Sequence, residues 1–166
     1  MILADTDTLS ALAKVNRLPL LFSLLQATSL QIAPAVFREL AHSLNLRRRY
    51  VEEVLSLVST GQIQVIPLTE EEVTFRDTLP GTLGVGERES IAIAKERGGM
   101  VLSNESRVAH CCQQYKIPCL RLPAILRALW VEGIVSKQEV QDIITGLQIE
   151  DRMQFKQSTL DAILAD

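Results

Sequence analysis

Short apolar runs alternate with amphipathic stretches along the chain, and a polar group stands wherever an apolar run stops. The first run, Met1-Ile2-Leu3-Ala4, ends at Asp5-Thr6-Asp7-Thr8 and gives way to Leu9, Leu12 and Ala13 at helical spacing. A short apolar run ahead of a helical pattern predicts a buried parallel strand. Asp5 then falls at its carboxyl end, where open α/β sheets bind their ligands. Asp5 or Asp7 also suits the cap of the following helix, where a short carboxylate satisfies free backbone N–H groups. The sequence leaves both roles open.

The same grammar repeats. Pro19 opens a Leu-rich helix over 20–26, residues 29–33 alternate as a strand, and Pro34 ends that strand by starting a helix that carries Glu39 about one turn in. A helix over 46–58 puts Val51, Val54, Leu55 and Val58 on one face; its leading Arg47-Arg48-Arg49 stands four residues before Glu52 and Glu53, the pattern of a solvated, ion-paired face more than of a nucleic-acid patch. Gly61 closes that helix, and 62–67 alternates as a third strand. Thr69 and Glu72 form a capping box for a helix ending near Leu79. The loop Pro80-Gly81-Thr82-Leu83-Gly84-Val85-Gly86 delivers Glu87 into the first turn of a helix that stops at Gly98-Gly99. This loop has neither the lysine of a phosphate-binding loop nor the full dinucleotide spacing. A fourth strand over 99–103 ends at Asn104 and Glu105, ahead of a helix with Val108, Cys111, Cys112 and Tyr115 on its buried side. A fifth strand over 118–122, a helix over 123–131, a capping box at Ser136 and Glu139 and a short last helix over 154–164 complete the chain. Five strands alternating with helices predict an α/β fold, a parallel sheet covered on both faces.

Composition narrows this picture. With 166 residues, 47% hydrophobic, and a mean hydropathy of +0.16, the chain can fill one core but not two. The domain organisation expected is a body over 1–133 and a helical extension over 134–166 packed on the same domain. No apolar stretch is long enough for a bilayer and no basic, apolar leader precedes Asp5, so the expectation is a cytoplasmic protein without a membrane partner. Three cysteines, two of them adjacent, suggest reduced, buried thiols. The net charge of −3 gives no global attraction to nucleic acid, so such binding must come from a local basic patch.

Asp5, Glu39, Glu87 and the Asn104/Glu105 pair all follow strand ends on one edge of the inferred sheet, so acids distant in sequence converge. Clustered carboxylates without His or Cys partners suit a hard, oxygen-liking cation, Mg²⁺ or Mn²⁺, rather than zinc. His42 and His110, the only histidines, belong on helix surfaces.

Four stretches in this order resemble the PIN domain family: Ile2-Leu3-Ala4-Asp5-Thr6-Asp7-Thr8-Leu9 with Leu12-Ala13-Lys14; Ile32-Ala33-Pro34-Ala35-Val36-Phe37-Arg38-Glu39-Leu40; Gly84-Val85-Gly86-Glu87 with Ile91-Ala92-Ile93-Ala94; and Val101-Leu102-Ser103-Asn104-Glu105-Ser106. The resemblance spans almost the whole chain. It implies a three-layer α/β/α sandwich around a parallel sheet of about five strands, and a Mg²⁺- or Mn²⁺-dependent endoribonuclease, in many members the toxin of a toxin–antitoxin pair. By the same resemblance Asp5, Glu39 and Glu87 match the metal-holding acids, and Asn104 stands where the fourth acid is expected. The implied partners are single-stranded or structured RNA, an antitoxin protein and a second copy in a homodimer.

Asn104 offers a neutral oxygen in place of a carboxylate, which weakens the hold on a second cation. Asp7 and Glu105 are the nearby substitutes, Glu105 being about 100° round a helix from Asn104. Arg38, Arg88 and Arg107 flank the acids in sequence and are candidates for holding phosphates. The alternative is a degenerate PIN module that binds nucleic acid or a partner without cutting. The stretch Asp5-Thr6-Asp7-Thr8-Leu9 also looks superficially like the start of haloacid-dehalogenase-type phosphatases, with Asp5 as nucleophile. Leu9 breaks that pattern and no paired acids follow the fourth strand.

Overall fold

In the computed structural model, which describes residues 1–45 and 49–165, the apolar runs become five short strands. They are β1 (Ile2–Ala4), β2 (Leu30–Ile32), β3 (Ile63–Val65), β4 (Met100–Leu102) and β5 (Cys119–Leu120). All neighbours pair parallel, in the order β3-β2-β1-β4-β5. The register aligns Leu3 with Gln31 on one side and with Val101 on the other. Leu3, Ala4, Val101 and Leu102 are buried, as strands sandwiched between two helical layers must be.

The helices are α1 (Thr6–Lys14), α2 (Leu18–Leu25), α3 (Pro34–Asn45), α4 (Tyr50–Ser59), α5 (Glu70–Thr78), α6 (Val85–Arg97), α7 (Ser106–Gln114), α8 (Leu122–Val131), α9 (Lys137–Glu150) and α10 (Gln157–Leu164). Together with the all-parallel sheet they make the three-layer α/β/α architecture. The chain runs β1, β2, β3 towards one edge, then returns past β1 to place β4 and β5 on the other side. That reversal opens a crevice beyond the carboxyl ends of β1 and β4, the switch point at which open α/β sheets bind ligands.

Several local signals act as the sequence predicts. Thr69 with Glu72 and Ser136 with Glu139 close their capping boxes, and Gly98 takes the left-handed conformation that ends α6 (φ 68°). Helix α6 is buried continuously from Glu89 to Ala94 and packs against β1, β4, α3, α5 and α7. Helix α9 lays Val140, Ile143, Ile144 and Leu147 into the core, with contacts to α1 and α8, and α10 packs on α8. The three cysteines are free, Cys111 and Cys112 buried and Cys119 half-buried. Among the described residues no helix is long and apolar enough to cross a membrane.

Tyr115 departs from expectation. It lies past the end of α7 and is exposed, because the helix turns off at that residue; its ring meets Phe75 edge-on at 5.0 Å between centroids. The helix expected over 46–58 is seen from Tyr50. Leu46, Arg47 and Arg48, and with them the Arg48–Glu52 pair, lie outside the described residues. Arg49 precedes α4, and its pair with Glu53 is not among the ion pairs of the described residues.

Candidate active site

Asp5 stands at the end of β1 and caps α1, so the capping role falls to it and not to Asp7, and it does so from the strand exit. Its backbone N–H donates to Leu102 O at 3.1 Å, continuing the sheet, while its Oδ1 accepts the Thr8 N–H at 2.7 Å. The residue is 6% exposed. Burial, the largest influence, pushes its pKa up to about 6, and the Asp7 charge adds to this. Hydrogen bonding from Ser103 and Thr8 pulls the other way, the Thr8 hydroxyl without completing a well-aligned bond. Asp5 is thus a carboxylate short of compensating positive charge.

Other acids face it. Asp5, Asp7, Glu39, Glu87 and Glu105 line one cleft of about 260 Å³, with Thr6, Gly84, Gly86 and a single arginine, Arg107. Loss of water at the cleft raises the Asp7 carboxyl, and the charges of Glu105, Asp151 and Glu39 raise it further. Glu39, exposed in the second turn of α3, accepts a hydrogen bond of 2.5 Å from the Thr6 hydroxyl. Glu87 turns back along its helix and accepts the Gly84 N–H at 2.6 Å.

The two acid-bearing helices approach closely because Gly86 has no side chain. A Cβ there would stand 3.0 Å from Val36 Cγ2 and 3.4 Å from Glu39 Oε1. Buried Glu89, 4% exposed, fastens the same junction: its Oε2 accepts the Ala35 N–H at the start of α3 at 2.7 Å, and its Oε1 faces Arg38 at 3.5 Å and Arg76 at 3.8 Å. Glu89 was not singled out from the sequence. The signal was there, a lone acid inside the buried run 89–94 two positions after Glu87.

Asn104 does not line the acid cleft. It lines a second cavity beside it, and its Oδ1 is shut off from solvent without a hydrogen-bond partner. The 100° helical offset from Glu105 does not apply, because both residues precede α7: Glu105 is its cap residue with extended backbone (φ −74°, ψ 125°). Asp7 and Glu105 face both cavities. Of the three arginines, Arg107 lines the acid cleft and donates to Thr82 O at 2.8 Å, tying the loop before Gly84 to α7. Arg38 points to Glu89, and Arg88 holds a buried Nε without a partner; neither is part of the cleft. His42 and His110 are exposed on helices.

The donors on offer are oxygens, chiefly from carboxylates, and among the described residues the arginine that lines the cleft with them is Arg107; this chemistry fits a hard divalent cation and not zinc. Among the described residues no three of these groups converge on one point within reach of an ion as they stand, since Glu39 is tied to Thr6 and Glu87 to Gly84.

An acid-lined crevice thus sits at the switch point of a five-stranded parallel α/β sheet. The chain belongs to the PIN domain family, whose model, described as a PIN domain, it matches over residues 1–166. Members of this family are generally nucleases, act on nucleic acid and depend on divalent metal. No curated protein matches the sequence.

Proposed function

We propose that the protein is a metal-dependent endoribonuclease that hydrolyses RNA phosphodiesters with Mg²⁺ or Mn²⁺. The observation that supports this most is the five carboxylates, drawn from four separate parts of the chain, that line one cleft. A bound divalent cation supplies positive charge against the phosphate and makes an attacking water more acidic. In this reading Asp5 and Glu87 hold the cation. Glu39 joins them or orients the water through the hydroxyl partnership it now makes with Thr6. Asp7 and Glu105 stand in for the acid that Asn104 lacks, since both face the cleft and Asn104 does not. Arg107 lines the cleft beside the acids and holds a phosphate oxygen, its geometry braced by Thr82.

A second reading has one observation in its favour: Glu39 and Glu87 are already satisfied by Thr6 and Gly84, as in a domain that binds without cutting. Cleavage of a generic single-stranded RNA in Mn²⁺ separates the two. Cutting by the native chain that Glu87→Gln abolishes supports the nuclease. Silence from the native chain with activity gained in Asn104→Asp supports the degenerate module.

The finer biology follows from the nuclease reading. As a toxin, the protein would be held off by an antitoxin and act as a homodimer in the cytoplasm. The body over 1–133 carries the chemistry, and the extension over 134–166 packs on it. Exposed Val131, Ile134 and Ile149 offer apolar area for a second copy or an antitoxin helix. Light scattering of the purified chain, alone and with the product of an adjacent reading frame, tests both.

A further inference from the structure

Glu87 belongs both to the cleft and to the start of its own helix. Its Oε2 accepts the Gly84 N–H at 2.6 Å, and Gly84 is the residue that caps α6, with extended backbone (φ −61°, ψ 160°). Gly84 has no side chain to return the bond, so the Glu87 carboxylate carries the side-chain part of this cap alone. The Glu87 side chain is folded back to do so: a Cβ on Gly84 would lie 3.6 Å from Oε2 and 3.8 Å from Cδ. Gly84 itself is exposed and lines the cleft.

The acids differ in how freely they move. Asp5 is buried, and its Oδ1 is fixed by the Thr8 N–H at 2.7 Å. Glu87 is half-buried and Glu39 exposed. Since no three acids among the described residues converge on an ion as they stand, a cation beside Asp5 must draw the movable carboxylates to the fixed one. Each then gives up its present bond, Glu39 to Thr6 and Glu87 to Gly84. The two exchanges are unequal. The Thr6 hydroxyl can rotate to another acceptor, whereas the Gly84 N–H is aimed by the backbone and is left to water. The loop ahead of it is pinned: Leu83 is buried, its N–H donates to Pro80 O at 3.1 Å, and Thr82 O accepts Arg107 at 2.8 Å. Release is therefore confined to Gly84.

We propose that Glu87 is a two-position acid, which caps α6 at Gly84 in the absence of a cation and leaves that cap when a divalent cation binds the cleft. The inference rests on the metal-dependent reading of the site. It makes the bonds that now satisfy the glutamates a resting state, and it sets a toll on cation affinity: loss of one ordinary hydrogen bond corresponds to about threefold to tenfold in binding.

The test follows the Gly84 amide. The full-length chain, labelled with ¹⁵N and stripped of metal with EDTA, is titrated with Mg²⁺ while exchange of backbone amide protons with water is measured by NMR. The Gly84 amide should exchange about threefold to tenfold faster at saturating Mg²⁺, and the Thr8 amide, bonded to the fixed Asp5, should keep its rate. Gly84→Pro removes the N–H at a φ that proline adopts, so Glu87 has no cap to break; Mg²⁺ should bind this variant about threefold to tenfold more tightly than the native chain. Cleft amides that shift with Mg²⁺ while Gly84 keeps its slow exchange overturn the inference and leave the cation site standing. A folded Gly84→Pro that binds Mg²⁺ no more tightly than the native chain overturns it too, and if that variant does not fold, the native amide rates decide alone. No shift of any cleft amide at millimolar Mg²⁺ rejects the two-position acid together with the metal-dependent reading.

Discussion

Asp5 shows at the scale of one residue how the site is held away from its own best stability. Burial lifts its folded pKa from 3.8 to about 6. Between these values the folded protein keeps a proton that the unfolded chain has released, so stability falls as pH rises through the window. The cost, on the order of 2–3 kcal/mol, persists above it. Asp5→Asn keeps an oxygen to cap Thr8 N–H and removes the charge. We therefore predict that, in EDTA, this variant is more stable than the native chain by about 2 kcal/mol at pH 7 and has no advantage at pH 4, read by urea unfolding. Saturating Mg²⁺ should reverse the order at pH 7, because only the native carboxylate gains from the ion. The acids at strand exits were legible in the sequence because a carboxylate ends an apolar run where the chain leaves the core for a polar surface. What was not legible was direction: Asn104 and Glu105 are adjacent, yet extended backbone sends only Glu105 to the acid cleft, and Lys14, Asp151 and Met153 meet near Asp7 only through the fold.

At the scale of elements, the site is the contact between α3 and α6. Gly86 permits the approach and Glu89 locks it, so the placing of Glu39 against Glu87 is set by residues other than the two acids themselves. Gly86→Ala must push against Val36 and the Glu39 carboxylate; we predict a loss of about 1–3 kcal/mol in stability together with RNA cleavage, measured on the same preparation. Glu89→Ala strands the Ala35 N–H and leaves Arg38 and Arg76 without their shared partner. Thermal unfolding should show a cost of about 2–4 kcal/mol. Strands, caps and glycine stops could be read from the sequence because each has a local cause: alternation, a Thr or Ser three residues before Glu, a left-handed glycine. Tyr115 falls outside the core because helical spacing continues past the point where α7 turns off, and there the ring is exposed with its edge on Phe75.

At the scale of the molecule, the strand order β3-β2-β1-β4-β5 brings acids from four separate parts of the chain to one crevice. Alternation of strands and helices announced a parallel sheet, but strand order is a long-range property that no local pattern encodes. The last third of the chain closes the structure from behind: Trp130 Nε1 donates to Ile163 O at 2.8 Å, Leu147 and Ile163 enter the common core, and Lys14 pairs with Asp151. A chain ended at residue 133 would expose the apolar surface of α1 and α8 that α9 and α10 cover. We predict that it fails to give a cooperative thermal transition, whereas an independently stable body over 1–133 would unfold sharply on its own.

Uptake of a divalent cation by the acid cleft is the property on which a metal-dependent nuclease depends. The most direct measurement is Mn²⁺ binding followed by electron paramagnetic resonance of the free ion, for the native chain and for Asp5→Asn combined with Glu87→Gln. We predict saturable binding by the native chain that the double variant weakens by about tenfold or more, with its circular dichroism unchanged. Equal binding by the two proteins, or none by the native chain at millimolar Mn²⁺, would contradict a metal site in this cleft.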